Sequence, residues 1–168
     1  TDQHLMKISA LDADHAAAAG IDGTVLISGD GGESWSTSKP CGNSSMTGIA
    51  FVNTEAVVAI GSGGCAVRSV DKGRSWSRIN LFSRSDLLSL SFSNGKFGSM
   101  TDTNGMVWLT GDGGSTWLPF NVKTSPRLAA NYFADRFTGW AVGQDVLIVR
   151  TDDGGYTWQR LTGGGRED

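Results

Sequence analysis

Four tryptophans, Trp35, Trp76, Trp117 and Trp158, stand 41 residues apart at every step. The residues leading into them repeat as well: Ser28-Gly-Asp-Gly-Gly-Glu-Ser-Trp35, Ser69-Val-Asp-Lys-Gly-Arg-Ser-Trp76, Thr110-Gly-Asp-Gly-Gly-Ser-Thr-Trp117 and Thr151-Asp-Asp-Gly-Gly-Tyr-Thr-Trp158. The shared pattern is Ser/Thr-x-Asp-x-Gly-x-Ser/Thr-Trp. The register persists outside it. Ala10, Phe51, Phe92 and Phe133 form one column, Val25, Ala66, Val107 and Ile148 another, and Asp12, Asn53, Asn94 and Asp135 a turn column. No insertion separates the repeats, and four periods take up nearly the whole of the 168 residues. A fixed period of this length means one supersecondary unit stacked on copies of itself.

Each unit reads as four short strands. In the second repeat they are predicted at Thr47–Phe51, Ala56–Ile60, Cys65–Ser69 and Ser75–Ile79. Apolar and β-branched residues fill the runs, and Gly, Asn and Asp fill the breaks. No stretch keeps a helical period. Four strands in about 40 residues is the signature of a propeller blade. The predicted fold is all-β, a single β-propeller domain with blades at about 6–46, 47–87, 88–128 and 129–163.

The repeated box falls where the third strand turns into the fourth. Its aspartate is suited to accept backbone N–H bonds inside the turn. The glycine two positions on supplies a backbone conformation other residues reach only with strain. The tryptophan then packs on the blade and buries a large apolar area. Asp30, Gly32, Trp35, Asp71, Gly73, Trp76, Asp112, Gly114, Trp117, Asp153, Gly155 and Trp158 are therefore read as elements of the fold.

This pattern resembles the Asp-box (BNR) repeats of sialidases, sortilin-type receptors and photosystem II assembly factors. The fourth repeat carries the closest likeness. There, Phe137-Thr-Gly-Trp-Ala-Val-Gly143 precedes Ile148-Val-Arg-Thr-Asp-Asp-Gly-Gly-Tyr-Thr-Trp158, as in the photosystem II stability/assembly factor family. The resemblance implies a non-catalytic propeller, often exported, that binds or assembles other proteins. Propellers of that family have more than four blades. Three closures are open for this chain: a small four-blade ring, a larger ring formed with other chains as a homo-oligomer, or part of a longer propeller. The box specifies fold strongly and function weakly.

Composition narrows the function classes. Fourteen Lys and Arg face seventeen Asp and Glu, for a net charge of −3, which argues against a nucleic-acid surface. No apolar run approaches the ~18–20 residues of a membrane-spanning helix. The sialidase reading needs an arginine cluster, a Tyr/Glu pair and an acid/base aspartate. Here the tyrosines are only Tyr132 and Tyr156, and Glu33, Glu55 and Glu167 fall in a box, a turn and the tail. Asp102 and Asp145 sit in suitable turns, but nothing marks them as the paired acids of a glycosidase. His4 and His15 are isolated, and Asp12-Ala-Asp14 lacks the further oxygen ligands of a calcium loop. No cofactor, metal site or catalytic residue is predicted.

Function is sought where the repeat is broken. The boxes mark one face of the array. The opposite face carries the second-to-third turns and the loops between blades. The residues on it that depart from the repeat are Phe82, Arg84, Asp86, Asp102, Asn104, Lys123, Arg127 and Gln144. An aromatic with mixed charges suits a protein segment, the favoured partner, or a glycan, as on a secreted or viral receptor-binding module; a degenerate glycosidase is the third reading. Cys41 and Cys65 fall on the same face and the same blade boundary. A disulfide there would mean an oxidising compartment; two buried or free thiols are the other reading. With the resemblance, the disulfide would favour an extracytoplasmic location.

Overall fold

The computed structural model describes residues 4–122 and 127–161. Among these, sixteen strands form four antiparallel sheets, each a four-stranded meander in chain order. Blade 1 comprises β1 (Leu5–Ala10), β2 (Ala16–Gly20), β3 (Val25–Ser28) and β4 (Ser36–Ser38). Blade 2 comprises β5 (Met46–Phe51), β6 (Val57–Gly61), β7 (Ala66–Ser69) and β8 (Ser77–Arg78), with a 3-10 turn at Ser62–Gly64. Blade 3 comprises β9 (Leu87–Phe92), β10 (Gly98–Asp102), β11 (Met106–Thr110) and β12 (Leu118–Asn121). Blade 4 comprises β13 (Leu128–Phe133), β14 (Gly139–Gly143), β15 (Ile148–Thr151) and β16 (Gln159–Arg160).

The predicted four-strand blades are present, with one systematic difference. The fourth strand is shorter than its apolar pattern suggests: β8 spans Ser77–Arg78, and Ile79 continues only as one hydrogen bond to the Ala66 carbonyl. Every blade also carries an irregularity between its first and second strands. It falls between Leu5 and Lys7, Met46 and Gly48, and Leu128 and Ala130, and opposite Asp102 in blade 3. Such bulges add local twist. In blade 2 the extra residue also joins two blades, because Thr47 Oγ1 donates to the Leu87 carbonyl at 2.6 Å.

The core lies between blades. Ala17, Ala19, Val25 and Ile27 of blade 1 meet Met46, Ile49, Phe51, Val57 and Ala59 of blade 2. Val58, Ile60 and Ala66 of blade 2 meet Leu87, Met100, Trp108 and Trp117 of blade 3. Val107 and Leu109 of blade 3 meet Leu128, Phe133, Ala141 and Val149 of blade 4. Each blade therefore has two unlike faces. Its second and third strands present one set of residues to the following blade and the alternate set to the preceding one, as the two-residue period of a strand requires.

Among the described residues, no buried cluster joins blade 4 to blade 1. The four blades form an open arc, not the small closed ring that was one of the three closures considered. The inner strand β1 is exposed along most of its length, whereas β5 is almost wholly buried. The tryptophans record the same asymmetry. Trp117, at the junction of blades 2 and 3, is 7% exposed, and Trp35, with no described blade before it, is 39% exposed. The expectation that all four box tryptophans pack into a core fails for Trp35, because a tryptophan's cover comes from the preceding blade.

Replacing Trp117 by Ala is expected to destabilise the array by about 3–5 kcal/mol, as deletions of buried aromatics do. Trp35→Ala is expected to cost well under half of that. Urea denaturation of both variants checks the pair; equal losses would show that the cover from the preceding blade is not what makes the residue count.

Candidate functional site

The boxes are closed hydrogen-bond systems. In blade 1, Asp30 accepts from Ser28 Oγ (2.8 Å), Ser34 N (2.9 Å) and Ser34 Oγ (2.5 Å), while Ser28 Oγ accepts from Gly32 N (2.9 Å). Trp35 Nε1 donates back to the Gly32 carbonyl at 3.0 Å. The same contacts recur at Asp71 with Ser69, Ser75 and Gly73, at Asp112 with Thr110, Thr116 and Gly114, and at Asp153 with Thr151, Thr157 and Gly155. The loop is tied in turn to the first hairpin of its own blade: Gly31, Lys72, Gly113 and Gly154 donate to the carbonyls of Asp14, Glu55, Lys96 and Phe137. The four carboxylates are fully committed to turns.

The charge state follows from those donors. The hydroxyl of Ser34 and then its N–H hold Asp30 down at about 2, and Ser75 does the same for Asp71. At Asp112 and Asp153 partial burial is the largest single effect and pushes upward. The combined bonds from Thr116 and Thr110, and from Thr157 and Thr151, outweigh it, and both carboxyls also lie at about 2.

Sequence reasoning gave the box glycine a conformational role, and Gly32, Gly73, Gly114 and Gly155 do have φ between 81° and 93°. A second role was not visible. A Cβ at Gly73 would lie 2.3 Å from Ile27 Cδ1, at Gly114 2.8 Å from Val58 Cγ2, and at Gly155 2.9 Å from Leu109 Cδ1. The box glycine is the socket into which the preceding blade fits. At Gly32 only Trp35 of its own box is near.

On the opposite face, the residues that break the repeat separate into two groups. Phe82, Arg84, Asp86, Asp102 and Asn104 come together at the junction of blades 2 and 3. Asp86 Oδ1 accepts from Gly63 N at 2.8 Å, the Thr103 N–H donates to the Asp86 carbonyl, and Asn104 Nδ2 donates to Ser85 Oγ at 2.6 Å. Arg127 and Gln144 meet at the junction of blades 3 and 4, where Gln144 N donates to the Arg127 carbonyl. Lys123 lies outside the described residues, as does Glu167.

Their surroundings differ sharply. Asp102 is buried and accepts from Asn104 N (2.8 Å), Met106 N (3.0 Å) and Trp108 Nε1 (3.1 Å). It is a turn cap whose carboxylate is bonded within its own blade, so it is poorly placed to meet a ligand. The repeat is broken at this position because Trp108 stands in the Val67 and Val149 column and its indole N–H needs an acceptor. Phe82 is the reverse case: 94% exposed, with φ of 52°. Asn80 Oδ1 accepts from its N–H at 3.2 Å and helps hold the bend. Phe82 and Arg84 border an open depression of about 920 Å³ that also includes Arg78, Asn80 and Leu81.

Cys41 and Cys65 form a disulfide, with Cα atoms 6.3 Å apart. It pins the loop between blades 1 and 2 to the entry of β7. The acids and tyrosines weighed for a glycosidase do not assemble. Tyr156 stacks edge-on against Phe120 on the box side, Tyr132 lies on the inner strand β13, and Glu55 pairs with Lys72 at 3.3 Å. His15 Nδ1 contacts Asp12 at 2.8 Å in the first hairpin turn. Among the described residues, no group of three or more candidate metal ligands occurs and no helix is long and apolar enough to cross a membrane.

Fold and boxes together define an Asp-box β-propeller array. Its sequence matches the family model for the photosynthesis system II assembly factor YCF48 over residues 69–165, more than half of the chain, and the chain belongs to that family. No protein of curated function matches it in sequence. Among solved structures, YCF48 from Cyanidioschyzon merolae aligns over 99% of this chain at 19% identity with a TM-score of 0.76. The chain spans 58% of that protein's length. A structure of YCF48 bound to D1 peptide aligns over 95% of this chain and 81% of its own, at 15% identity and a TM-score of 0.58. An ancestral GH74 enzyme aligns over 96% of this chain but 24% of its own, at 16% identity and a TM-score of 0.75. At these identities the structural likenesses establish the fold.

Two measurements follow. A carboxyl depressed on folding gives stability that is complete above its unfolded value, near 3.8, and lost as pH falls toward about 2. The melting temperature is therefore expected to hold steady down to about pH 4 and to fall steeply between about 4 and 2. A flat profile across that window would remove the boxes from the stability argument. Replacing both cysteines by serine is expected to cost about 3 kcal/mol through restored freedom of the unfolded loop; denaturant midpoints of the oxidised and serine proteins give the comparison.

Proposed function

We propose that this chain is a non-enzymatic protein-binding module of assembly-factor type, and that it grips an extended segment of its partner at the junction of blades 2 and 3. The observation that carries the reading is Phe82. A phenyl ring held out in solvent by a left-handed backbone, with Arg84 beside it and an open depression below, has the composition of a binding anchor. Family membership supports an assembly role, and the YCF48 structure with a D1 peptide shows that a relative has been seen with a peptide bound.

The non-enzymatic part rests on chemistry. The repeated carboxylates are occupied by their own turns, and Asp102 by its own blade. Among the described residues, Tyr156, Glu55 and Asp102 are engaged in separate places and do not form the paired site of a glycosidase. The disulfide supports an oxidising, extracytoplasmic setting. Net charge of −3 argues against nucleic acid as the partner.

A labelled D1 peptide is the natural first probe, read by fluorescence anisotropy. Saturable binding is expected. Phe82→Asn removes the ring but keeps a residue that tolerates positive φ, and Arg84→Ala removes the charge. Each is expected to weaken binding about tenfold or more, the range of a hot-spot contact. Binding that both variants leave intact would move the site elsewhere. No binding to the peptide, together with glycan binding that depends on Phe82, would replace the protein partner with a sugar.

A further inference from the structure

On the box side, each junction between blades forms a groove. One wall is the third and fourth strands of the leading blade; the other is the first hairpin and the box of the following blade. The repeat makes these grooves copies of one another in backbone, so their linings can be compared column by column. Between blades 1 and 2 the groove is lined by His15, Ile27, Ser36, Thr54 and Arg74 and encloses about 250 Å³. Between blades 2 and 3 the Ile27 position is Arg68, whose Nε donates to the Gly113 carbonyl at 2.8 Å and occupies the space. Between blades 3 and 4 the groove opens to about 380 Å³.

Here the lining turns apolar. Where blade 1 has His15 and Ser36, blade 3 has Phe97 and Leu118. Where blade 2 has Glu55 and Arg74, blade 4 has Phe137 and Tyr156. Phe137, Leu118 and Tyr156 are 57%, 63% and 69% exposed. The last two columns are also exposed in blades 2 and 3, at Glu55, Arg74, Lys96 and Ser115, and each of those blades has a neighbour on both sides. The exposure therefore belongs to the box side itself, and both walls of the groove lie inside the described array. Nothing in the fold requires rings at these positions. The box forms the same hydrogen bonds around Arg74 or Ser115 as around Tyr156, and the hairpin turn caps Glu55 or Lys96 as it does Phe137.

The rings are ordered across the junction. Phe120 of blade 3 and Tyr156 of blade 4 meet edge to face with centroids 5.1 Å apart. The Arg136 guanidinium lies over the Phe137 ring at 5.5 Å. Charge changes with the lining. Lys96 stands where blades 1 and 2 have Asp14 and Glu55, and Arg136 where they have Ala13 and Thr54. Among the described residues, the ion pairs engage His15, Lys72 and Arg150, and neither Lys96 nor Arg136 has an acidic partner. Asp153 also lines the groove, but its oxygens accept from Thr151 Oγ1, Thr157 N and Thr157 Oγ1. Two cations against one carboxylate leave the groove with positive charge in excess.

We propose that this groove is a binding site for a small organic anion with a flat aromatic body. An apolar, aromatic lining with a few polar groups at its edge is the composition of a small-ligand site, and the volume lies at the lower end of the usual range of about 300–1,000 Å³. Rings favour a flat guest, which they meet by offset or edge-on stacking. The carboxylate of the guest lies at Arg136 and Lys96. A guanidinium stacked on a phenyl ring keeps its N–H edge available for two parallel bonds to a carboxylate. The site is separate from Phe82, which stands on the other side of the array, so the two can fail independently.

The probe is β-naphthoate, with the neutral β-naphthamide beside it, each titrated into the isotope-labelled chain and followed by amide NMR. Saturable shifts are expected at Lys96, Phe97, Arg136, Phe137, Gly154 and Tyr156. A Kd of about 1 mM or tighter is expected, the affinity that ordinary efficiency gives a ligand of this size. β-Naphthamide is expected to bind about fivefold more weakly, the range that two part-exposed charges supply. Arg136→Thr, the blade 2 residue, is expected to cut that preference to about twofold or less. Tyr156→Ser and Phe137→Glu, the residues of blades 3 and 2, are each expected to weaken both probes about tenfold or more. The spectra of the variants report their fold directly. Failure to saturate by about 10 mM, shifts centred on the Phe82 loop, equal affinity for the two probes, or binding that survives both aromatic replacements each overturns the proposal.

Discussion

Everything in this molecule depends on how one blade sits on the next. A single four-stranded meander of this size has no interior of its own, and its apolar residues become a core only when a neighbour covers them. The strand period sends alternate side chains to opposite faces, so every blade needs two neighbours and offers each a different surface. The box glycine is where the two surfaces lock. Ile27, Val58 and Leu109 press onto Gly73, Gly114 and Gly155 at distances that leave no room for a side chain. The aspartate knot around each glycine holds that socket in shape. Local hydrogen bonding thus serves long-range packing, and the carboxylates that perform it are withdrawn from chemistry.

Much of this was legible in the sequence, because a strict repeat reports both strand pattern and turn chemistry four times over. The blades, the turns, the face division and the structural role of Asp30, Asp71, Asp112 and Asp153 follow from residue type and spacing alone. The open arc did not follow. Four periods are equally compatible with a ring and with part of one, since the repeat describes only the interface between neighbours and is silent on curvature. The shortened fourth strands escaped for a related reason: Ile79 is apolar because the next blade covers it, not because it lies in a long ladder.

The candidate site was legible to a lesser degree. Deviation from the repeat is a sound signal for function, but it does not separate a ligand contact from a local repair. Asp102 and Phe82 show the two outcomes. Asp102 deviates because Trp108 introduces an indole N–H into a column of aliphatic residues, and a buried donor requires an acceptor. Phe82 deviates with nothing inside the protein to answer it, and its ring stays in solvent. A single sequence cannot tell them apart, since it shows neither partner nor exposure. Asp86 and Asn104 fall between: both tie the loop of Phe82 to neighbouring turns, so their contribution to binding would be to hold the loop.

Arg68 extends the same logic to the interfaces. In blades 1 and 3 the residue that covers the next box is Ile27 or Leu109, and the position before it in space is small, Ala17 or Ser99. Blade 2 has an arginine instead of the aliphatic residue. The interface survives because Val58 has taken over the socket and because the guanidinium finds the Gly113 carbonyl. Two departures from the repeat compensate each other within one junction. Compensation of that kind has meaning only across a contact, and here the contact is observed: the valine and the arginine of blade 2 divide between them the work that a single aliphatic residue does in blades 1 and 3.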